Sequence, residues 1–366
     1  MDRSKPASYK TAGVDTAKES SGLKDLTTLL QETFVFRKGV GRVMLPLGYF
    51  ANVISLGKNL GLAISTDGVG TKILVAQMLG KFDTIGIDCI AMNVNDLLCV
   101  GAEPLALVDY VAVQAPNRRM LREMAKGLKE GARRARITIP GGEIAQLGEI
   151  IRGTHQDDGF DLVGSCVGIV PLDRIIVGKR IKPKDVVLGL RSTGIHSNGL
   201  TLARDVFFRR QGLRPDQHIR DIGRPIGEEL LEPTRIYVPE IIEMLRGGLD
   251  VKALIHITGD GFLNLSRVAA RVGFVIDFLP QPHPIFGLIQ SMGRISTEEM
   301  FTVYNMGIGF CLVLPDDPVQ IKRATAIAKK HGADCYLLGY AVRDAEKKVF
   351  VRPHKLVGRG DRFFRA

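Results

Sequence analysis

The chain has 366 residues, of which 45% are hydrophobic and 24% are charged, and its formal net charge is +11. This length and composition are typical of a globular protein with two or three domain cores. The sequence contains no run of eighteen apolar residues, so no membrane span is predicted. The polar first ten residues predict no secretory signal.

The cysteines and the basic residues narrow the functional classes further. The five cysteines are scattered and form no C-x-x-C pair, and most lie among apolar residues, which predicts buried free thiols and a cytoplasmic location. The positive charge is compatible with nucleic acid or with an anionic small substrate. Because no zinc-finger spacing or RNA-binding aromatic motif accompanies the basic runs, we interpret them as solvated surface and expect no nucleic-acid partner.

The first predicted elements are a helix at 23–32 and a glycine-containing loop at 38–46. They precede Ser65–Lys72, which lies between two apolar runs and predicts a strand, a glycine turn and a helix. Backbone N–H groups at such a helix start bind phosphate oxygens. Asp67 is placed to hold Mg²⁺, and Lys72 to add a charge for a phosphate. Because the P-loop spacing is absent, an ordinary turn with a solvated aspartate is an equally good interpretation of this motif alone.

The next predicted helix, Asp83–Leu98, is mostly apolar, and its polar residues Asp88, Asn95 and Asp96 lie on one stripe of its surface. Polar side chains in so apolar a helix are costly unless they are paired or bind a metal ion. Asn95 and Asp96 are therefore candidate site residues. A strand at 105–113 follows.

An amphipathic helix at 117–136 is predicted to serve packing alone. A short strand then leads into Pro140–Glu143, where two glycines before a carboxylate suggest a close backbone approach to a ligand. On this motif alone a plain turn is the better interpretation. An apolar strand at 160–170 precedes a charged, aperiodic segment at 171–185, where we place the domain boundary.

The second half begins with a strand at 186–190 that runs into Arg191–Gly199, a turn rich in hydroxyl groups and glycine, followed by a helix at 200–209. Such a turn at a helix start favours anions. A lone histidine is usually structural, but the position of His196 within this turn makes it a candidate for acid–base or phosphate chemistry.

The remaining predicted elements include a second strand–loop–helix with a histidine at the strand end. They are a helix at 229–246 interrupted near Pro233, the strand–loop–helix at 251–261 with His256, a strand or hairpin at 300–314, a helix at 318–331, and a closing hairpin at 335–351.

With these motifs in order, the chain resembles the phosphoribosylformylglycinamidine cyclo-ligase family, whose members are also called aminoimidazole ribonucleotide synthetases. The resemblance covers most of the chain and rests on about ten collinear motifs, which together are specific although each alone is weak. They include Asp67-Gly-Val-Gly-Thr-Lys72, Ile85-Gly-Ile-Asp88, Val94-Asn95-Asp96, Gly101-Ala-Glu-Pro104, Gly141-Gly-Glu143, His196-Ser-Asn-Gly199, Pro233-Thr-Arg-Ile-Tyr-Val238, His256-Ile-Thr-Gly259 and Asn305-Met-Gly-Ile-Gly309.

The resemblance implies a two-domain α/β (α+β) subunit. An N-terminal domain at 1–172 would bind ATP and dimerise, its sheet completing a barrel across a homodimer, and an α/β sandwich domain at 173–345 would be followed by a basic tail at 346–366. The implied reaction uses ATP and Mg²⁺ to phosphorylate the formyl amide oxygen of formylglycinamidine ribonucleotide, a phosphoribosyl substrate, and then closes the imidazole ring of a purine precursor.

The resemblance also implies roles for individual residues. Asp67 and Asp96 would hold the metal ion, and His196 with Asp96 would be catalytic. The nucleotide would lie near Asp67, Gly68, Gly70, Lys72, Asp96, Gly142 and Glu143, and the substrate near Ser197, Asn198, His256 and Thr258. The assignment of His196 as the acid–base group is an inference from its chemistry and position.

Several positions depart from the family pattern and leave alternatives open. A family carboxylate is replaced by Gln146, a glycine by Asp260 and an arginine by Thr302, which puts the identity of the substrate in question. One alternative is a paralogue of the same superfamily, resembling thiamine-monophosphate kinase, selenophosphate synthetase or a hydrogenase-maturation protein. Another is a non-catalytic binding protein on this scaffold.

Overall fold

The computed structural model describes residues 6–14 and 16–366. Within these ranges no helix combines the length and the apolar character needed to cross a membrane. The N-terminal half is built on a sheet of five described strands in the order β1-β2-β5-β3-β4. These strands are β1 (Asn52–Gly57), β2 (Leu60–Gly68), β3 (Glu103–Val113), β4 (Thr138–Gln146) and β5 (Phe160–Pro171).

The helices of this half are α1 (Thr16–Glu32) with a 3₁₀ turn at Thr33–Phe36, α2 (Lys72–Leu79), α3 (Ile85–Leu98) and α4 (Arg118–Ala135). Of these helices, α3 packs directly on the sheet and α4 packs on α3. Helix α3 lies across β2, β5 and β3 and is buried along nearly its whole length. The predicted helix at 83–98 is therefore a core helix, and its polar residues need partners inside the protein.

Helices α3 and α4 approach closely because glycines line their contact. A Cβ on Gly86 would collide with the backbone of Gly127 and Leu128, and a Cβ on Gly127 would lie 2.6 Å from the carbonyl oxygen of Asp83. A Cβ on Gly131 would lie 2.9 Å from the Ile90 side chain. The helix pair is thus in backbone contact, with no space for a methyl group between the two helices.

The side chains on the opposite face of the N-terminal sheet, along β2, β5 and β3, are mostly half-buried or exposed. In register across β2, β5 and β3, Leu62 lies beside Ile169, Ile64 beside Val167, and Val163 beside Tyr110. Ile64, Val108 and Tyr110 are 37%, 44% and 42% exposed. We call this surface the open sheet face and define it by its apolar members: Leu60, Leu62, Ile64, Val108, Tyr110, Val163, Val167 and Ile169.

The C-terminal half is built on a sheet of eight described strands in the order β15-β14-β13-β10-β12-β6-β11-β9. Every residue of β9, β10 and β11 is buried, which is expected where both sheet faces are covered. The strands are β6 (Val186–Arg191), β9 (Ala253–His256), β10 (Val272–Ile276), β11 (Ile308–Leu314), β12 (Cys335–Arg343), β13 (Val349–Val351), β14 (Leu356–Arg359) and β15 (Arg362–Arg365), with β7 (His218–Ile219) and β8 (Arg224–Pro225) pairing separately.

The helices of this half connect the strands and cover the sheet. They are α5 (Leu200–Arg204) continued by a π-helix at Asp205–Arg210, α6 (Ile226–Leu230), α7 (Val238–Arg246), α8 (Pro284–Gly293), α9 (Thr297–Val303) and α10 (Pro318–Lys330), with 3₁₀ turns at Leu172–Arg174, Gly261–Arg267 and Arg352–His354. The segment between α6 and α7 is not helical, in agreement with the predicted interruption near Pro233.

Two predictions for the C-terminal half need correction. The strand or hairpin predicted at 300–314 is a strand only from Ile308 onwards, because Ser296 caps α9 by accepting a hydrogen bond from the Glu299 N–H and the helix extends to Val303. Residues 335–351 are not a hairpin, because β10 lies between β12 and β13. The basic segment 346–366 is therefore not a separate tail: its strands continue the C-terminal sheet.

A buried polar network joins the two halves. Lys72 and Asp88 are both fully buried, and Lys72 Nζ donates to Asp88 Oδ1 over 2.9 Å and to the carbonyl oxygen of Glu232. The same carboxylate oxygen accepts from the Thr234 N–H and hydroxyl, each at 2.7 Å, and from the Ser197 hydroxyl at 3.1 Å. Since Glu232, Thr234 and Ser197 belong to the C-terminal half, one oxygen of α3 binds both domains together.

The close packing of α3 and α4 predicts the effect of a single methyl group. Gly86→Ala should lower the free energy of unfolding by about 3 kcal/mol, because the helices must separate to admit the Cβ. Gly287→Ala is the matched control: Gly287 lies in α8 with nothing within 4 Å of a Cβ, so the change should be neutral or slightly stabilising. Chemical denaturation of both variants measures this, and equal stabilities would contradict the contact.

The network between the halves predicts a larger effect for Lys72→Met. Removing the ammonium group leaves the buried Asp88 carboxylate without a counter-charge, which should cost about 3–5 kcal/mol. The partly exposed Glu130, which pairs with the exposed Arg133 on α4, serves as control, since Glu130→Gln breaks a solvent-screened ion pair and should change stability little. Denaturant midpoints at equal m-values report both, and an unchanged midpoint for Lys72→Met would refute the network's role.

Candidate active site

The predicted metal-binding carboxylates lie near each other at the end of β2 and the last turn of α3. Burial and, secondly, the negative charge of Asp96 raise the pKa of Asp67 to about 6, so the two groups are within electrostatic range. The Asn93 side chain of α3 donates to the carbonyl oxygen of Asp67 over 3.1 Å and holds the strand end against the helix. Asp67 Oδ1 accepts from the Gly68 N–H at 2.8 Å.

Asp96 is bound by a histidine from the other domain. His256 Nδ1 lies 2.9 Å from Asp96 Oδ1, and the side chains are 1% and 16% exposed, respectively. His256 thus lies beneath Asp96 and is shielded from the cleft. The prediction that His256 borders the substrate does not fit this geometry.

The glycine turn has the predicted form, but the cationic side chain beside it is Arg204 and not Lys72. Gly70 has a φ of +71°, a left-handed conformation suited to glycine, and α2 starts at Lys72. The side chain of Lys72 is fully buried with Asp88, and the prediction that it contacts a phosphate does not fit this burial. Arg204 of α5 lies beside the turn instead: its Nη1 donates to the carbonyl oxygen of Thr71 over 3.4 Å, and no described carboxylate pairs with it.

His196 has a structural environment. Its Nε2 accepts from the Thr193 N–H at 3.2 Å and faces the Arg235 N–H at 3.5 Å, while Nδ1 is buried without a partner among the described residues. The side chain is buried against Gly309, and burial lowers the pKa of His196 well below its usual range. A neutral, buried imidazole does not fit the predicted acid–base role.

The other predicted substrate residues divide into two groups. Ser197 is part of the network on Asp88 and lies 3.1 Å from the Thr234 hydroxyl, so its hydroxyl serves domain docking. Asn198 and Thr258 are half-buried, and Asn198 Oδ1 would lie 3.5 Å from a Cβ on Gly259. The structure therefore brings the loop containing Asn198 against the loop containing Thr258.

The predicted turn at Gly141–Glu143 is wrong, because these residues lie within β4, which pairs in parallel with β3. Gly142 is in register with Asp109, and a Cβ at 142 would collide with the Asp109 carboxylate. Asp109 is in turn in register, through Gly164, with Asp67.

Glu143 points to the other face of this strand, beside Tyr110 of the open sheet face. Within one chain, Gly142 is therefore in cross-strand register with Asp109, Gly164 and Asp67, whereas the Glu143 side chain lies on the opposite face of the sheet. Asp109, whose pKa is raised by burial, was not assigned to the site from the sequence, because a single aspartate inside a strand does not by itself indicate a ligand.

The three residues that depart from the family pattern make no hydrogen bond or ion pair with Asp67 or Asp96 in the described part of the chain. Thr302 Oγ1 donates to the Glu298 carbonyl oxygen over 2.8 Å and faces the Phe363 N–H at 3.4 Å, which ties α9 to β15. Asp260 is exposed and pairs with Arg267 at 2.6 Å. Gln146 is exposed at the end of the edge strand β4.

The carboxylate pair suits magnesium rather than a metal ion enclosed by protein. Among the described residues, no group of three or more histidine, cysteine, aspartate or glutamate side chains could hold a metal ion. Mg²⁺ is typically bound through one or two carboxylates together with phosphate oxygens. Asp67 and Asp96 beside a glycine turn fit that donor set.

Comparisons with known proteins identify the family of this chain. The family described as AIR synthase related protein matches with its N-terminal domain at residues 48–170 and its C-terminal domain at 182–352. A Methanocaldococcus jannaschii protein named phosphoribosylformylglycinamidine cyclo-ligase is 45% identical over 352 residues, covering 96% of this chain and 95% of that protein. A Thermococcus kodakarensis protein of the same name is 50% identical over 324 residues, covering 88% and 92%.

Solved structures share the fold at lower identity. A HypE–HypF complex matches with a TM-score of 0.58 and 21% identity, covering 86% of this chain and 93% of that one. Thermotoga maritima PurL complexed with FGAR matches with a TM-score of 0.55 and 16% identity, covering 87% of this chain and 46% of that one. The predicted two-domain α/β fold is thereby confirmed, and the chain belongs to the phosphoribosylformylglycinamidine cyclo-ligase family.

Proposed function

We propose that this protein catalyses the ATP-dependent cyclisation of formylglycinamidine ribonucleotide to aminoimidazole ribonucleotide, releasing ADP and phosphate, as a ligase of purine biosynthesis. The observation that carries the proposal is the pair Asp67 and Asp96 beside the glycine turn at the start of α2. The relatives that bear the cyclo-ligase name align with nearly the whole chain, both domains included. With its cysteines free in the structure, the chain suits a reducing cytoplasm.

The reaction requires the protein to position the reacting groups and to neutralise the charge on the phosphates. Transfer of the γ-phosphoryl group to the formyl amide oxygen turns a poor leaving group into phosphate, and an amidine nitrogen then closes the ring. Mg²⁺ bound by Asp67 and Asp96 would neutralise charge on the phosphates. The backbone N–H group at Gly70 would orient the phosphates, whereas that of Gly68 already donates to Asp67 Oδ1. Arg204 would supply the cation in place of Lys72.

The second domain would supply the substrate side of the cleft. Asn198 and Thr258 lie on the two adjacent loops and are half-buried, so we assign them to contact the phosphoribosyl substrate. His196 would act through the backbone: it accepts hydrogen bonds from segments 193 and 235 and so fixes the loop that carries Asn198. Its neutral state suits this role, because an uncharged Nε2 can accept.

The role of the metal site predicts the outcome of Asp96→Asn. Substrate-dependent release of ADP and phosphate should fall at least ~100-fold, because the amide cannot replace a carboxylate ligand of Mg²⁺. The matched control is Asp83→Asn, a change at an exposed residue just before the same helix, which should keep near-normal activity. The assay compares ATP use with and without formylglycinamidine ribonucleotide, and near-normal turnover by Asp96→Asn would remove the assignment.

The same assay separates the alternative functions. A paralogue acting on another small substrate would use ATP without stimulation by formylglycinamidine ribonucleotide. A non-catalytic basic protein would show salt-sensitive nucleic-acid binding and no substrate-stimulated ATP use. The proximity of Asp67 to Asp96 favours the enzyme, since two largely buried carboxylates near each other are destabilising unless a cation is bound there.

We further propose that the protein forms a homodimer through the open sheet face. That face is largely apolar and continuous across β2, β5 and β3, with Thr66 and Ser165 among its polar members. Its side chains are mostly half-buried or exposed in the single chain. Contiguous apolar patches of this kind mark interaction surfaces. A second copy of the same face is self-complementary under two-fold symmetry, which would allow the two sheets to close into the barrel that the family resemblance implies.

A charge on the open sheet face should therefore separate the subunits. Val108→Glu, at a residue 44% exposed in the single chain, should shift the mass measured by light scattering from two chains to one. Val319→Glu is the control, since Val319 is 66% exposed on α10, away from this sheet, and the variant should retain the mass of the unmodified protein. A dimer that survives Val108→Glu would place the interface elsewhere.

A further inference from the structure

His256 belongs to one domain but directs both ring nitrogens toward the other. It ends β9 in the C-terminal sheet, and its side chain is 1% exposed. Nδ1 lies 2.9 Å from Asp96 Oδ1, and Nε2 lies 3.5 Å from the Asn95 side-chain nitrogen. Both contacts are with consecutive residues of α3. This arrangement places the imidazole between the domains, directly behind a predicted metal ligand.

The surrounding hydrogen bonds determine which ring nitrogen carries the proton. Asn95 Oδ1 accepts from the Tyr237 N–H at 3.1 Å, and Asn95 Nδ2 donates to the Arg235 carbonyl oxygen at 2.9 Å. These two backbone groups fix the orientation of the amide, so an N–H of Asn95 faces His256 Nε2. Since Nε2 meets a donor, it acts as the acceptor, and the proton of the neutral ring is on Nδ1. Nδ1–H therefore donates to Asp96.

This hydrogen bond determines how Asp96 is presented to the cleft. Oδ1 is occupied by His256, whereas Oδ2 has no hydrogen-bond partner among the described residues. The Asp96 side chain is 16% exposed, so it is still accessible to solvent although His256 binds one of its oxygens. A metal-binding carboxylate that is itself hydrogen-bonded keeps one rotamer and binds its ion more tightly.

We propose that His256 is a positioning residue that fixes the carboxylate of Asp96 so that Oδ2 faces a divalent cation shared with Asp67. The inference rests on the proposed function only in assuming that this cation accompanies a nucleotide. His256 does not contact the substrate, because it is buried and both of its nitrogens are engaged. Since His256 and Asp96 come from different domains, the cation site takes its shape only when the domains are docked.

The test compares variants that keep or lose a donor at the δ position. His256→Asn retains an N–H near the place of Nδ1, His256→Gln moves the donor to the ε position, and His256→Leu removes it. The readout is the affinity for Mn²⁺ in the presence of ADP, measured by electron paramagnetic resonance without substrate. The Mg²⁺ concentration for half-maximal ATP use and the KM for formylglycinamidine ribonucleotide are measured in parallel.

We expect His256→Leu and His256→Gln to weaken Mn²⁺ binding by about 10–100-fold, with a matching rise in the Mg²⁺ requirement. His256→Asn should stay within about 3-fold of the unmodified protein, and the substrate KM should not change, since the altered group acts only through Asp96. His218→Leu, at an exposed histidine of β7, is the control and should bind Mn²⁺ normally. The Gln and Asn variants, both polar, keep the comparison valid if His256→Leu does not fold.

Three results would overturn the proposal. They are normal Mn²⁺ affinity in His256→Gln, equal losses in His256→Asn and His256→Gln, or no Mn²⁺ binding by the unmodified protein with ADP. Because Mn²⁺ binding needs no formylglycinamidine ribonucleotide, the proposal can survive if cyclisation is not observed. Conversely, cyclisation with unaltered Mn²⁺ affinity in His256→Gln would leave the proposed function intact and remove only the role of His256.

Discussion

The arrangement of the two domains depends on a single carboxylate oxygen. Asp88 Oδ1 lies inside the buried core helix α3 and accepts from Lys72, Thr234 and Ser197, while Oδ2 has no partner among the described residues. A carboxylate in such a place is tolerated only when its charge is neutralised and its lone pairs are used. Because the donors come from both halves of the chain, satisfying this one group requires the halves to dock in one orientation.

Docking in that orientation assembles the candidate site. Seven and eight residues further along α3, Asn95 and Asp96 meet the C-terminal domain, so the helix that carries the structural charge also carries a candidate metal ligand. Asp67 reaches the same place from β2, and the Asn93 side chain ties the strand end to the helix. The loops that contain Asn198 and Thr258 lie against each other in the C-terminal domain. The geometry of the site is thus a consequence of domain packing more than of any single loop.

The sequence was sufficient to predict what depends on local patterns. The glycine turn, the helix at 83–98 and the two-domain fold follow from periodicity, glycine placement and collinear motifs, and the structure contains them. The buried environments of Lys72 and His196 were not predicted, because a charged or polar residue in a turn looks the same in sequence whether it faces solvent or a second domain. Only the partner segment at 232–235, which begins 160 residues after Lys72 in the chain, decides between these environments.

Other errors have equally physical causes. Glycines at 141 and 142 suggested a turn, but inside a strand a missing side chain can instead leave space for a neighbour, here the Asp109 carboxylate. The strand or hairpin expected at 300–314 and the hairpin expected at 335–351 differ from the structure for different reasons. The first overlooked the cap formed by Ser296, and the second assumed that consecutive strands pair, although β10 separates them.

The extended segment between α6 and α7 has a consequence for building chimaeras. Its backbone groups at 232–237 meet Lys72, Asp88 and Asn95, so it belongs by sequence to one domain and by contact to the other. A C-terminal half grafted from a relative would have to bring this segment in a conformation that matches the recipient's α3. Exchanging whole halves at the predicted domain boundary in segment 171–185 therefore changes the contacts between the domains. The two halves are not independent modules.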